Sequence, residues 1–379
     1  MQSNNKLRMA IRATAAAAVF GVAGQAGAVE LSTGDYETNL YGFARVVAAY
    51  DIDEDISNGG RAGNFSKITT GDADTIDGHF GMDANTSRLG VSVVNPQGVK
   101  AVVELDFDNS ASLDPRLRHA YGEYNNVRIG RYWSNYNSWV GNTANVDFDG
   151  VPGSAGAQDR TEQITYMSGP LSFSLENPID YGGVVGETAI TSSPALTAKF
   201  EDSQGGISYA VGAMAKQTGY DNGVNDDSAI GYAAFLAGKI AITDMISVQG
   251  AINYADGANA YVYRAGSNFG GPDAYVDANG DVETIEAYAG TLGVSLGLGG
   301  GRSVNVGYGM ATSDLDDAVQ SGALAASSRD TNTTMFVNYM WSPVDSVSMG
   351  VQFENLETET QAGEDGDANR IMYLAQYNF

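Results

Sequence analysis

The chain has 379 residues, a formal net charge of −26 and no cysteine, with 48 glycines, 21 tyrosines and only 8 prolines. So acidic a chain lacks the electrostatic footprint of a protein that binds nucleic acid or an anionic inner leaflet, and it has neither disulfides nor thiolate chemistry. Scattered glycine and an apolar share of 43% exclude collagen-like, coiled-coil and disordered chains.

The first 28 residues stand apart. Lys6, Arg8 and Arg12 precede the apolar run "ATAAAAVFGVAG", and Ala26-Gly27-Ala28 forms an A-x-A cleavage site. The pattern predicts a secretory signal peptide over 1–28, removed before Val29, and one barrel domain over 29–379. Its removal leaves 17 basic residues against 46 acidic ones. Beyond residue 28 no apolar run reaches the roughly 18 residues that a spanning helix needs.

From there onward apolar residues recur at every second position, the period of a strand with two unlike faces. In "VKAVVELDFD" Val99, Ala101, Val103, Leu105 and Phe107 alternate with Lys100, Glu104, Asp106 and Asp108. In "SVNVGYGM" and "SVSMGVQFE" the second face is polar or glycine. Sixteen such segments follow one another: 38–51, 80–94, 99–109, 116–125, 126–132, 160–167, 171–177, 194–201, 207–216, 228–236, 245–255, 283–298, 302–312, 331–341, 346–356 and 370–379.

Their connections alternate in length. Short ones occur at "NPQG", Asn125-Asn126, "SGP", "DSQGG", "AGKIAITD", "GGG" and "SPVD". Long ones span 52–79, 110–115, 133–159, 178–193, 217–227, 256–282, 313–330 and 357–369. One-sided loop length, with an even strand number that returns both ends to one side, predicts a 16-stranded antiparallel transmembrane β-barrel. Its short turns would face the periplasm and its long loops the exterior of a Gram-negative outer membrane. The last strand, "RIMYLAQYNF", puts Ile371, Tyr373, Ala375, Tyr377 and Phe379 on the lipid face. Tyr377 and Phe379 fall at the inner aromatic girdle. The pattern resembles the C-terminal signal that the barrel-assembly machinery reads, carried here by Tyr373, Tyr377 and Phe379.

Alternation also assigns the lumen face. Arg45, Arg88, Lys100 and Arg128 fall on inward positions of the first five strands, as do Arg116 and Arg118 provided that Leu117 and Tyr121 face lipid. An arginine at the lipid-facing midplane would cost about 2–4 kcal/mol. The plainer alternative for any one of them is pairing with Glu104, Asp106 or Asp108 on the third strand. Arg160 and Lys199 are further candidates.

"LYGFARVVAAYD", "SRLGVSV", "LRHAYGEYNNVRIGRYWSNY" and "VDFDG", within 40–160, resemble the DcaP-like family of trimeric outer-membrane porins. The resemblance implies a 16-stranded barrel, a third loop folded into the lumen, and a basic constriction that admits dicarboxylates and other small anions. The family's helical periplasmic extension has no counterpart here, where only 29–37 separates the cleavage site from the first strand. Within the third loop Trp133, Tyr136 and Trp139 are expected to pack it against the inner wall, with stacking on a ligand ring as the alternative. Asp147 and Asp149 of "VDFDG" are expected to face the basic wall.

The acidic runs "YDIDED", "DGDAD", "DNGVNDD", "DLDD" and "ETETQAGEDGD" read as solvated outer loops, with cation bridges to lipopolysaccharide as a secondary role. "DANGD" departs from calcium-loop spacing and reads as an Asn-Gly turn, so no metal site and no cofactor are expected. His79 and His119 lack a catalytic partner motif, which disfavours an enzyme. The expected activity is passive diffusion of small hydrophilic solutes, anionic mono- and dicarboxylates first, through a homotrimer. A general or cation-selective porin is the nearest alternative, and a receptor a more distant one.

Overall fold

A strand turns every second side chain to the same face, and in this molecule the face left uncovered is the apolar one. The computed structural model describes residues 29–30, 35–57, 61–71, 75–108 and 114–379; the expected signal peptide lies outside the described residues. The fold is a closed barrel of 16 antiparallel strands. They are β1 (Glu37–Asp51), β2 (His79–Asp83 continued by Arg88–Val94), β3 (Lys100–Asp106), β4 (Arg116–Tyr124), β5 (Val127–Trp133), β6 (Arg160–Ser168), β7 (Leu171–Glu176) and β8 (Ala195–Gln204). The second half comprises β9 (Ile207–Asp221), β10 (Asp226–Ala241), β11 (Ile246–Asp256), β12 (Glu286–Gly299), β13 (Arg302–Ser313), β14 (Arg329–Val344), β15 (Val347–Thr360) and β16 (Asp365–Asn378).

β1 seals the barrel. It pairs with both pieces of β2 on one side and with β16 on the other, from Phe43 opposite Asn378 to Asp51 opposite Arg370. The backbones of Gly42 and Phe379 exchange two hydrogen bonds of 3.1 Å. Where β16 ends, Val29–Glu30 takes over pairing with Leu40 and Asn39. No barrel edge is left open, as hydrocarbon requires.

Leu89, Ile129, Ile164, Phe173, Leu236, Ile252, Leu292 and Val337 face outward and are 42% to 64% exposed, while Thr161, Gln163, Thr165, Asn253, Asn305 and Gln352 are buried inside. In water each such leucine or isoleucine would forgo about 1.5–3 kcal/mol. Lipid on the outside removes that loss. Tyr373, Tyr377 and Phe379 of the terminal stretch also point outward, with Met372, Leu374 and Gln376 inward between them. Short turns close the other end of each hairpin: Asn125 and Asn126, with φ of 47° and 68°, form the two-residue turn that matches strand twist.

Two expected long loops are tight hairpins instead. β9 and β10 stay paired up to Asp221 opposite Asp226, and β15 and β16 up to Glu359 opposite Asp365. Above the hydrocarbon both faces of a strand meet water, so the apolar alternation stops while the hydrogen-bonded ladder continues. The expected strand 283–298 is also split, because Val282–Thr284 pairs with Ala274–Val276, which pairs on its other side with Val184–Val185, in a separate three-stranded sheet over the mouth. "DANGD" makes the turn of that sheet, with the Asp277 carboxylate accepting from the N–H groups of Asn279 (2.8 Å) and Asp281 (2.9 Å).

Candidate functional site: the constriction

The long segment between β5 and β6, residues 134–159, runs inside the barrel along the inner face of β8 to β15. That face is built from small residues. Ala210, Ala233, Ala237, Ala251, Ala255, Ala287, Ala289 and Ala311 form one buried cluster with Tyr136, Ala155 and Ala157 of the loop. A methyl group at Gly309 would lie 2.8 Å from Val151, and one at Gly350 would lie 2.9 Å from Val146. Side chains on the wall satisfy the loop's backbone. Asn253 donates to Gly153 O (2.8 Å) and accepts from Gly156 N (3.0 Å). Asn338 donates to Ala144 O (2.8 Å), and Gln352 accepts from Val146 N (2.9 Å). Tyr136 is fully buried against Phe235 and Tyr261. Lys199 donates to Asn137 O (2.8 Å), which makes it a loop anchor outside the cavity lining.

The opposite wall, β1 to β6, carries the arginines. Arg45, Arg88, Arg116, Arg118 and Arg160 line one cavity of about 700 Å³, together with Arg61 from the first loop and with Trp133, Trp139, Asp147, Phe148 and Asp149. Lys100 and Arg128 face inward nearer the periplasmic turns and do not line it. Arg128 lies over the Tyr132 ring (3.8 Å) and pairs with Glu123 (3.5 Å).

A bulge in β4 corrects one assignment of the alternation. The register slips between Glu104 and Leu105, which face His119 and Leu117, so the adjacent Arg118 and His119 are both buried. Beyond the bulge the faces swap: Tyr121 turns inward against His119, Tyr132 and Arg128 instead of toward lipid.

The acids of β3 and of the residues just beyond it are spent on part of the cluster. Asp106 binds Arg116 (2.9 Å) and Arg118 (2.6 Å), Glu104 binds Arg118 (3.0 Å) and lies 3.8 Å from Arg88, and Asp108 binds Arg116 (2.9 Å) and Arg61 (2.7 Å). Among the described residues Arg45 and Arg160 have no salt bridge. Arg45 reaches Val146 O (3.4 Å) and lies over the Phe148 ring (5.4 Å); Arg160 lies over the Trp133 ring (4.6 Å).

Asp147 and Asp149 border the same cavity, but their carboxylates are engaged close by. Asp147 accepts from the N–H groups of Gly63 (2.8 Å), Asp149 (2.7 Å) and Gly150 (3.1 Å), and Asp149 lies 3.5 Å from Arg61. Burial pushes the Asp149 carboxyl above its usual range, against the pull of Arg61.

The loop joining β11 to β12 also enters the mouth, which sequence reasoning missed. Arg264, 1% exposed, donates to Gly150 O (2.6 Å) and Gly63 O (2.5 Å) and lies over Phe65 (4.5 Å), clasping three loops. Tyr263 donates to Asp149 O (2.6 Å). The one available signal was a lone arginine among aromatics in "YVYRAGSNFGG". At the barrel seam, the buried Arg370 sits among Asp51 (2.9 Å), Glu354 (3.8 Å) and Asp147 (4.0 Å).

A lumen narrowed by an infolded loop, with arginine on the facing wall, is the geometry of a solute channel. The family model described as DcaP outer membrane protein matches residues 26–379. The chain belongs to the DcaP outer membrane protein family. Like that family, it is an outer-membrane β-barrel with the architecture of a channel.

Among solved structures it is similar to the outer membrane channel DcaP of Acinetobacter baumannii, at 27% identity and a TM-score of 0.78, over 92% of this chain and 99% of that one. The anion-selective porin from Comamonas acidovorans matches at 14% identity and a TM-score of 0.57, over 91% and 100%. The trimer form of OmpT from Vibrio cholerae matches at 12% and 0.54, over 91% and 100%. These last two likenesses concern the fold alone. No curated protein matches the chain.

Proposed function

We propose that the barrel is a passive diffusion channel for small hydrophilic anions, with mono- and dicarboxylates as the preferred solutes, and that it is not an enzyme. One observation carries the reading: among the described residues Arg45 and Arg160 line the cavity without a salt bridge, while Asp108, Asp147 and Asp149 on its border are engaged by arginines or backbone amides and Asp159 by the Arg160 N–H and the Tyr181 hydroxyl. Fixed positive charge at a narrow point, beside a low-dielectric wall, attracts anions and repels cations. Arg88, Arg116 and Arg118 add to that field, and Lys100 and Arg128 extend it toward the periplasm.

Assembly follows the same reading. The channel works as a homotrimer, its lipid face meets lipopolysaccharide and phospholipid, and the assembly machinery reads Tyr373, Tyr377 and Phe379. The acidic outer loops support a second reading, a general or cation-selective porin. Swelling of liposomes that hold the refolded protein separates the two. The anion reading expects succinate to enter faster than a neutral solute or an amine of equal size. Equal rates point to a general porin, and faster amine entry to a cation channel.

A further inference from the structure

A guanidinium that faces a pore must be held in place, and the usual holder, a carboxylate, cancels the charge it holds. Aromatic rings offer another route, because a ring face attracts a cation through its quadrupole and carries no net charge. We propose that Trp133 and Phe148 are positioning residues: their rings seat the arginines of the constriction and preserve the positive field that selects anions. This rests on the anion-channel reading above.

Four guanidinium groups use these two rings. Arg160 lies 4.6 Å and Arg118 5.7 Å from the Trp133 ring centre, and Arg61 (5.3 Å) and Arg45 (5.4 Å) lie over Phe148. All are within the roughly 6 Å at which a cation feels the ring quadrupole. Arg45 and Arg160, which make no salt bridge among the described residues, are divided between the two rings. Arg88 repeats the arrangement over Phe43 at 5.1 Å.

The rings are themselves fixed. Trp133 ends β5, where its indole meets Trp139 edge to face at 4.9 Å. Phe148 is held by its backbone, whose N–H donates to Arg61 O at 3.0 Å, so one residue of the first loop is gripped through both main chain and side chain. Neither ring is fully buried. Both border the cavity, next to the cations.

The test is the reversal potential of the refolded full-length barrel in a KCl gradient across a planar bilayer. Trp133→Leu and Phe148→Leu keep apolar bulk but remove the quadrupole. Each is expected to lower the chloride-to-potassium permeability ratio by about threefold, and Trp133→Phe and Phe148→Tyr to restore most of it. Phe148→Glu supplies the ordinary holder and is expected to lower the ratio further than leucine does. Wild-type ratios in both leucine variants, alongside a lowered ratio in Arg160→Gln, would overturn the role of the rings while leaving the anion channel intact. A cation-preferring wild type that Arg160→Gln leaves unchanged would instead overturn the channel reading and this one with it. Should Trp133→Leu fail to fold, Phe148→Leu decides, because its loop is not part of the barrel sheet.

Discussion

The two halves of the barrel's inner surface are made by the same alternating strands yet differ in what they face. Along β8 to β15 many of the inward positions are alanine, glycine, asparagine and glutamine, and another stretch of the same chain lies on them. Along β1 to β6 they include arginines, and the cavity lies over them. A wall that receives backbone needs small side chains for close approach and amides for its hydrogen bonds. A wall that faces water can carry charge on long side chains, provided that something orients them. The infolded loop thus narrows the pore from one side and leaves the charged side open.

Substitutions that break this division should hurt most where the walls meet. Replacing Arg370 by Met leaves Asp51, Glu354 and Asp147 without their shared cation, and the barrel should lose about 3–5 kcal/mol. That loss would appear as a lower temperature for the heat-induced mobility change on a gel. Gly309→Val puts branched bulk where the loop backbone at Val151 and Pro152 must sit. A cost of about 1–3 kcal/mol is expected, together with faster proteolysis of residues 134–159. Tyr263→Phe removes one hydrogen bond to the loop, and about 0.5–1.5 kcal/mol with it, read by the same melting assay. The smallest effect sharpens the contrast: Lys199 is basic but anchors the loop on the small-residue wall, so Lys199→Gln should leave the reversal potential at its wild-type value.

Much of this division could be read from residue order, because alternation reports which face a side chain takes. It identified every barrel strand and put Arg45, Arg88 and Arg118 inside. It does not report depth, so Lys100 and Arg128 share the inward face but lie below the cavity. It also fails at a bulge, as Tyr121 shows, and above the membrane, where β15 and β16 keep pairing through acidic sequence. The clasp of Arg264 on Gly63 joins residues 201 positions apart. Nothing in a local pattern records a contact of that kind. Nor does alternation tell a paired arginine from an unpaired one, since Arg116 and Arg160 look alike until their neighbours are in place.

The central claim is that unpaired arginines on one wall make the pore prefer anions, and the reversal potential tests it in the wild-type barrel and in the Arg45→Gln, Arg160→Gln double variant. A chloride-preferring wild type that moves toward potassium in the double variant is the predicted result. A potassium-preferring wild type, or a double variant with an unaltered potential, would contradict it.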